Sequence, residues 1–216
     1  MKLLGLTGDI ASGKSSVAAL LQKRGAHILD ADALVHELYD EPEFAGRVAS
    51  LFGPGVLSAE KTIARRALGA IVFNDEAALK RLENLVHPAV AVLREDKLRA
   101  LKTQNPAPIV VLEAVKLLES GQARGCAAVW CVICAPEIQL QRLMQKRGLS
   151  EDAARARISS QPPREEKRKL AAASEVPLLF IENNGTPCEL EKKVEILWRE
   201  FLKIETPETC QFENCQ

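Results

Sequence analysis

Gly8-Asp-Ile-Ala-Ser-Gly13-Lys14-Ser15 matches G-x-x-x-x-G-K-S/T at every defined position. In such a loop, successive backbone N–H groups and the start of the following helix form a concave donor surface for phosphate oxygens. Gly13 lets the backbone turn closely around the anion. Lys14 brings a mobile positive charge to the β- and γ-phosphates, and the Ser15 hydroxyl is suited to the coordination shell of Mg²⁺. The competing reading is a glycine-rich turn with a solvated lysine, to which Lys-Ser after the second glycine has no special value. The loop points to nucleotide binding and leaves the reaction open.

Three carboxylates offer further chemistry. Asp30-Ala31-Asp32 follows an apolar run, and strand alternation would send Asp30 and Asp32 to the same side. A carboxylate there can accept a hydrogen bond from a hydroxyl acceptor and hold it in line with the γ-phosphate, which matters more than early deprotonation in a loose transition state. The alternative is a helix N-cap, for Asp32 above all, directly before Ala33-Leu34-Val35. Glu113 ends another apolar run, either as an acid acting on Mg²⁺ through water or as a solvated residue at a strand end.

Between Gln141 and Leu170 nine basic residues face four acidic ones. In a mobile helical pair they could close over a triphosphate and neutralise developing charge; a solvated helix face accounts for most of them. Arg142 and Arg147 are the better candidates, being nearest the preceding strand. His87-Pro88 reads as a helix break whose histidine is part of a turn.

The elements that must position these residues alternate in type. Strands are predicted at Lys2 to Leu6, His27 to Leu29, Ile109 to Leu112, Ala128 to Ile133 and Pro177 to Ile181. Helices are predicted at Lys14 to Lys23, Ala33 to Tyr39, Arg65 to Phe73, Glu76 to Val86, from Pro88 onward, and from Pro187 to Ile204. Pro136 to Ala173 reads as a charged helical stretch broken at Pro162-Pro163. Such alternation implies right-handed crossovers and a parallel five-stranded sheet covered on both faces, a three-layer α/β/α sandwich. It also implies a single domain over residues 1–204, with a helical insertion at about 32–103, a helical lid at about 141–172, and a tail, 205–216, that is expected to fray.

The 216 residues suit one ordinary α/β domain, and 29 basic residues cancel 29 acidic ones. Neither a nucleic-acid binder nor an anionic-membrane binder is expected from that balance. No apolar run approaches the roughly 20 residues of a membrane helix. Six scattered Cys without a leader segment predict a reduced, cytoplasmic protein. Cys131-x-x-Cys134 lies in a β-branched and aromatic run, which favours a buried strand over a redox or zinc site.

Several motifs in register extend this picture: Gly5-Leu-Thr-Gly8 running into the loop, Leu29-Asp-Ala-Asp32, Arg65 within Ile63 to Leu68, Val72-Phe73, Leu82-Glu83, Val86-His-Pro88, Pro136-Glu137, Gln139 to Met144, Gln161, and Ile181-Glu-Asn-Asn-Gly185. With them the chain resembles the dephospho-CoA kinases over nearly its whole length. The resemblance implies transfer of the ATP γ-phosphate to the ribose 3′-hydroxyl of dephospho-CoA, with Mg²⁺ accompanying ATP. It implies Asp32, Lys14 and Arg142 as catalytic residues, and Asp32, Arg65 and His87 as acceptor-binding ones. ATP would be held by Gly8, Ala11, Ser12, Gly13, Lys14, Ser15 and Ser16, by Arg147 in the lid, and by Asn183, Asn184 and Gly185 near the base. Ser15 would bind Mg²⁺, with Glu113 acting through water. Neither nucleic acid nor membrane is an expected partner, and a monomer or weak homo-oligomer is expected.

The family usually has glycine at Asp9 and Ala11, and threonine at Ser16. Asp9 sets a negative charge beside a phosphate loop, which predicts weaker ATP binding unless its side chain points outward. Val115-Lys-Leu-Leu-Glu119 replaces a common Pro-Leu-Leu-Phe-Glu and leaves the acceptor-site wall open there. The rival readings are a P-loop kinase of a nucleoside monophosphate or small metabolite, and a non-catalytic nucleotide-binding switch. A guanine switch would carry N-K-x-D, which the sequence lacks.

Overall fold

The computed structural model describes residues 1–73 and 75–204. The chain divides into two compact units, one of residues 1–28 with those from 107 on, the other of residues 29–106.

In the first unit, β1 (Lys2–Gly8) is buried from Leu3 to Thr7, as an apolar strand covered on both faces must be. The strands β2 (His27–Asp30), β3 (Ile109–Glu113), β4 (Ala128–Ile133) and β5 (Leu178–Glu182) complete a five-stranded parallel sheet in the order β2-β3-β1-β4-β5. β1 is therefore the central strand, in register Leu4 to Val111 on one side and Leu4 to Ala128 on the other. The strands fall where alternation predicts them, with β1, β2 and β3 reaching further, to Gly8, Asp30 and Glu113, and β5 displaced by one residue.

Helix α1 (Lys14–Lys23) and the last helix of the unit, α9 (Pro187–Lys203), cover one face. Leu4, Leu6, Val17, Leu21, Trp130, Val194, Trp198 and Phe201 form the core there. The Trp130 and Phe201 rings meet edge to face at 6.1 Å. Between β4 and β5 run α6 (Pro136–Arg147), α7 (Glu151–Ser159) and α8 (Arg164–Ala173). The charged stretch is thus broken at Gly148, whose φ of 64° ends α6, as well as at Pro162-Pro163. Cys131 and Cys134 are buried in and just after β4, as the apolar run predicts, and burial pushes the Cys131 thiol up to about 12.

The second unit is helical: α2 (Ala31–Asp40), α3 (Pro42–Phe52), α4 (Arg65–Val72) and α5 (Glu76–Gln104). Two expectations are corrected here. His87-Pro88 does not break the helix, because α5 runs 29 residues through Pro88. Its buried side chains Ala78, Leu82, Val86 and Val90 recur every fourth residue across the proline, so one continuous apolar face outweighs a lost backbone hydrogen bond. Asp30 and Asp32 are not two alternate residues of one strand either, because β2 stops at Asp30 and α2 begins at Ala31.

No described helix is long and apolar enough to cross a membrane. The 205–216 segment, with Cys210 and Cys215, lies outside the described residues.

Candidate active site

The loop between β1 and α1 is built so that its carbonyls from Ile10 to Ser12 are tied back while four of its N–H groups are left without a partner. Gln139 Nε2 donates to the Ile10 carbonyl at 2.9 Å. Arg142 donates from Nη1 to the carbonyls of Ala11 and Ser12, each at 3.2 Å, and from Nη2 to that of Asn183 at 3.2 Å. Asn183 Nδ2 donates to the Ser12 carbonyl at 2.7 Å. Among the described residues, the backbone N–H groups of Ala11, Gly13, Lys14 and Ser15 find no protein acceptor. Four donors converging at a helix start form an anion cradle.

Glycine is required at Gly13, where φ is 100° and a Cβ would strike the Asn183 amide. At Gly8 a Cβ would come within 2.7 Å of the Val132 carbonyl oxygen. Ala11 also holds a left-handed φ of 56°. That conformation costs an alanine about 1–2 kcal/mol, partly offset by glycine's extra chain entropy of about 0.5–1 kcal/mol. Ala11→Gly is therefore expected to stabilise the chain by about 0.5–1 kcal/mol, read as a higher urea midpoint at unchanged slope.

Lys14 Nζ donates to Glu113 Oε1 at 2.7 Å. Glu113 is 7% exposed, so the solvated strand-end alternative does not describe it. Asp9 does not point outward into solvent: its carboxylate pairs with Lys167 of α8, itself buried, so its charge is neutralised. Gln161, in the turn before α8, accepts the Ile10 N–H at 2.6 Å.

A cleft of about 1520 Å³ is lined by the loop together with Ser16, Arg147, Arg157, Gln161 and Lys167. Among the described residues the Arg147 and Arg157 side chains have no hydrogen-bond or ion-pair partner, whereas Arg142 donates to three backbone carbonyls and also bonds the Cys134 side chain. Ser12 is buried and its N–H goes to the Asp9 carbonyl, so it shapes the loop. Asn183 is buried beneath the loop, Asn184 Oδ1 accepts the Ala135 N–H at 2.8 Å, and Gly185 lines the cleft. Lys116 and Glu119 line it as well, while the Val115 carbonyl accepts from Thr7 Oγ1 at 2.9 Å.

In the helical unit the cap is Asp30, which accepts from the N–H groups of Asp32 and Ala33 at 2.8 and 3.4 Å. Asp32 sits one residue inside α2, exposed, with no recorded side-chain partner among the described residues. Arg65 begins α4 and reaches Asp40 at 3.4 Å. Burial pushes the nearby Tyr39 hydroxyl up, with Arg65 working against it. His87 is exposed on α5.

Gln139, Gln161 and Lys167 were legible only as motif or charge. A glutamine four residues before buried Leu143 on one helix face is the signal that marks Gln139 as inward-facing.

An anion cradle at the carboxyl end of the central strand of a parallel sheet, with a lysine and a serine opening the next helix, defines a P-loop nucleotide-binding protein. A family model described as dephospho-CoA kinase matches residues 2–187. A dephospho-CoA kinase from Geobacter sulfurreducens is 42% identical over 199 residues, 92% of this chain and 98% of the relative. One from Symbiobacterium thermophilum is 40% identical, covering 92% of this chain and 81% of the relative. Among solved structures, one from Thermus thermophilus superposes with a TM-score of 0.74 at 35% identity over 92% of this chain and 97% of that one. The dephospho-CoA kinase of Campylobacter jejuni does so with a TM-score of 0.62 at 28% identity, over 93% and 97%. The chain belongs to the dephospho-CoA kinase family, and it is an ATP-dependent enzyme of the kinase class.

Proposed function

We propose that this enzyme transfers the γ-phosphate of ATP to the ribose 3′-hydroxyl of dephospho-CoA, giving CoA and ADP. The observation that carries the reading is the cradle of free N–H groups at Ala11, Gly13, Lys14 and Ser15 in a chain whose family match runs from residue 2 to 187. The N–H groups and Lys14 bind and orient the polyphosphate, leaving the γ-phosphoryl group to be displaced in line. Arg142 acts by holding the loop carbonyls away from the anion, and Arg147 supplies lid charge over it. Asn183 to Gly185 border the base. Asp32 receives the acceptor hydroxyl, which Arg65 and His87 help to hold in the helical insertion.

The donor set suits Mg²⁺, since the Ser15 hydroxyl and the Glu113 carboxylate are hard oxygen ligands. Ser15 would hold the ion and Glu113 would act through water; when bound, it draws negative charge from the β- and γ-oxygens. Residues 141–172 form the lid on this reading; free thiols at Cys126, Cys131, Cys134 and Cys188 suit a reducing, cytoplasmic setting, and the enzyme works as a monomer or weak homo-oligomer.

An acceptor panel tests the proposal. With Mg-ATP, ADP release is expected with dephospho-CoA and not with AMP, CMP or shikimate. Turnover with any of those three in place of dephospho-CoA would transfer the chain to another kinase specificity, and ATP binding with no acceptor-dependent turnover would make it a switch.

A further inference from the structure

The segment from Gln161 to Lys167 grips the phosphate loop at two consecutive residues. Gln161 Oε1 accepts the Ile10 N–H, and Lys167 Nζ pairs with the Asp9 carboxylate. Lys167 is 6% exposed, and an ammonium so deeply placed needs a counter-charge, which Asp9 supplies. An ammonium carries three N–H donors, however, and Asp9 takes one. Among the described residues the Lys167 ammonium has no other hydrogen-bond or ion-pair partner. Asp9, Gln161 and Lys167 line the same cleft as Lys14 and Ser15.

We propose that Lys167 is a further phosphate-binding residue of this kinase and that Asp9 is the positioning residue that holds it at the rim of the loop. The proposal rests on the loop being the ATP polyphosphate site. Two ammonium groups then serve one anion, each steadied by a carboxylate: Lys14 by Glu113, and Lys167 by Asp9. Each pair is neutral, so neither carboxylate repels the incoming phosphates, while each lysine keeps donors for their oxygens. Asp9, a liability when read alone, becomes the reason a lysine from a distant helix is fixed beside the loop.

The competing role for Lys167 is to cancel the Asp9 charge and nothing more. The two roles differ in what happens when both charges are removed. If Lys167 only cancels Asp9, Asp9→Asn rescues Lys167→Gln. If Lys167 binds phosphate, it does not.

ATP dissociation constants, and KM for ATP and for dephospho-CoA, are measured for the wild type, Lys167→Gln, Lys167→Arg and the double variant Asp9→Asn/Lys167→Gln. A hydrogen bond to a charged group is worth about 10- to 100-fold in affinity. ATP binding is expected to weaken by about that factor in both Lys167→Gln and the double variant, with KM for ATP rising, KM for dephospho-CoA unchanged, and most of the loss recovered in Lys167→Arg. Recovery of the double variant to within about twofold of wild type overturns the proposal. So does an equal rise of both KM values, which marks a scaffold role. Should Lys167→Gln fail to fold, the neutral double variant compared with wild type decides by the same criterion. Gly13→Ala, whose Cβ would strike the Asn183 amide and disturb the cradle itself, is the reference: wild-type ATP affinity there would remove the loop reading, independently of Lys167.

Discussion

Lys14→Ala is expected to lower kcat/KM for ATP by about 10²–10³-fold, the loss typical of removing one preorganised donor from developing charge. The free N–H groups of Ala11, Gly13, Lys14 and Ser15 survive the change, because the carbonyls that orient them are tied to Gln139, Arg142 and Asn183 and not to Lys14. Residual ATP binding should therefore persist while turnover falls. Initial rates with varied ATP and dephospho-CoA check this. An unchanged kcat/KM would mean that the Lys14 ammonium stays with Glu113 throughout the reaction.

The same substitution has a second effect that must be separated from the first. It leaves Glu113, whose side chain is 9% exposed, without its cation. Breaking a buried pair from one side costs about 3–5 kcal/mol, less whatever is regained when the carboxyl takes up a proton. The pair Lys14→Ala/Glu113→Gln removes that uncompensated charge. It should recover most of the urea stability, which assigns the stability loss of Lys14→Ala to the unpaired Glu113 carboxylate; turnover stays low in both variants, so the two effects separate by their readouts.

Much of this frame was legible because it rests on local chemistry. The strand, the loop motif and the helix start each declare themselves in a few consecutive residues, and Gly8, Gly13, Lys14 and Ser15 could be named with the backbone conformation they need. The rest depends on partners far apart in the chain. Lys167 is one of nine basic residues in its stretch, and nothing local distinguishes it from the solvated ones; only packing brings it to Asp9, 158 positions away. Arg142 was marked by charge and proximity to a strand, yet what it does is fixed by three carbonyls belonging to two other segments. Pro88 misleads for a similar reason. Its local cost is real, but the face formed by Ala78, Leu82, Val86 and Val90 is a property of the whole helix.

Asp32→Asn is expected to lower kcat by about 10²–10⁴-fold, the range for a positioned proton-accepting group, with ATP affinity unchanged. Its force as a test comes from the neighbouring aspartate. The structural duty at the start of α2 belongs to Asp30, whose carboxylate accepts two N–H groups, while Asp32 stands exposed in the first turn. Asparagine in place of Asp32 keeps the shape and gives up only the favourable placement of a negative charge at a helix start, about 0.3–1 kcal/mol. Asp30→Ala, by contrast, removes the cap and should cost about 0.5–2 kcal/mol of stability. The two substitutions should thus separate cleanly: a large kinetic loss with a small shift in the urea midpoint for Asp32→Asn, and a clear shift in the midpoint for Asp30→Ala. Wild-type kcat in a folded Asp32→Asn variant would strip that carboxylate of its part in the transfer. The hydroxyl of the acceptor would then have to be oriented by other groups, with Arg65 and His87 the first to examine.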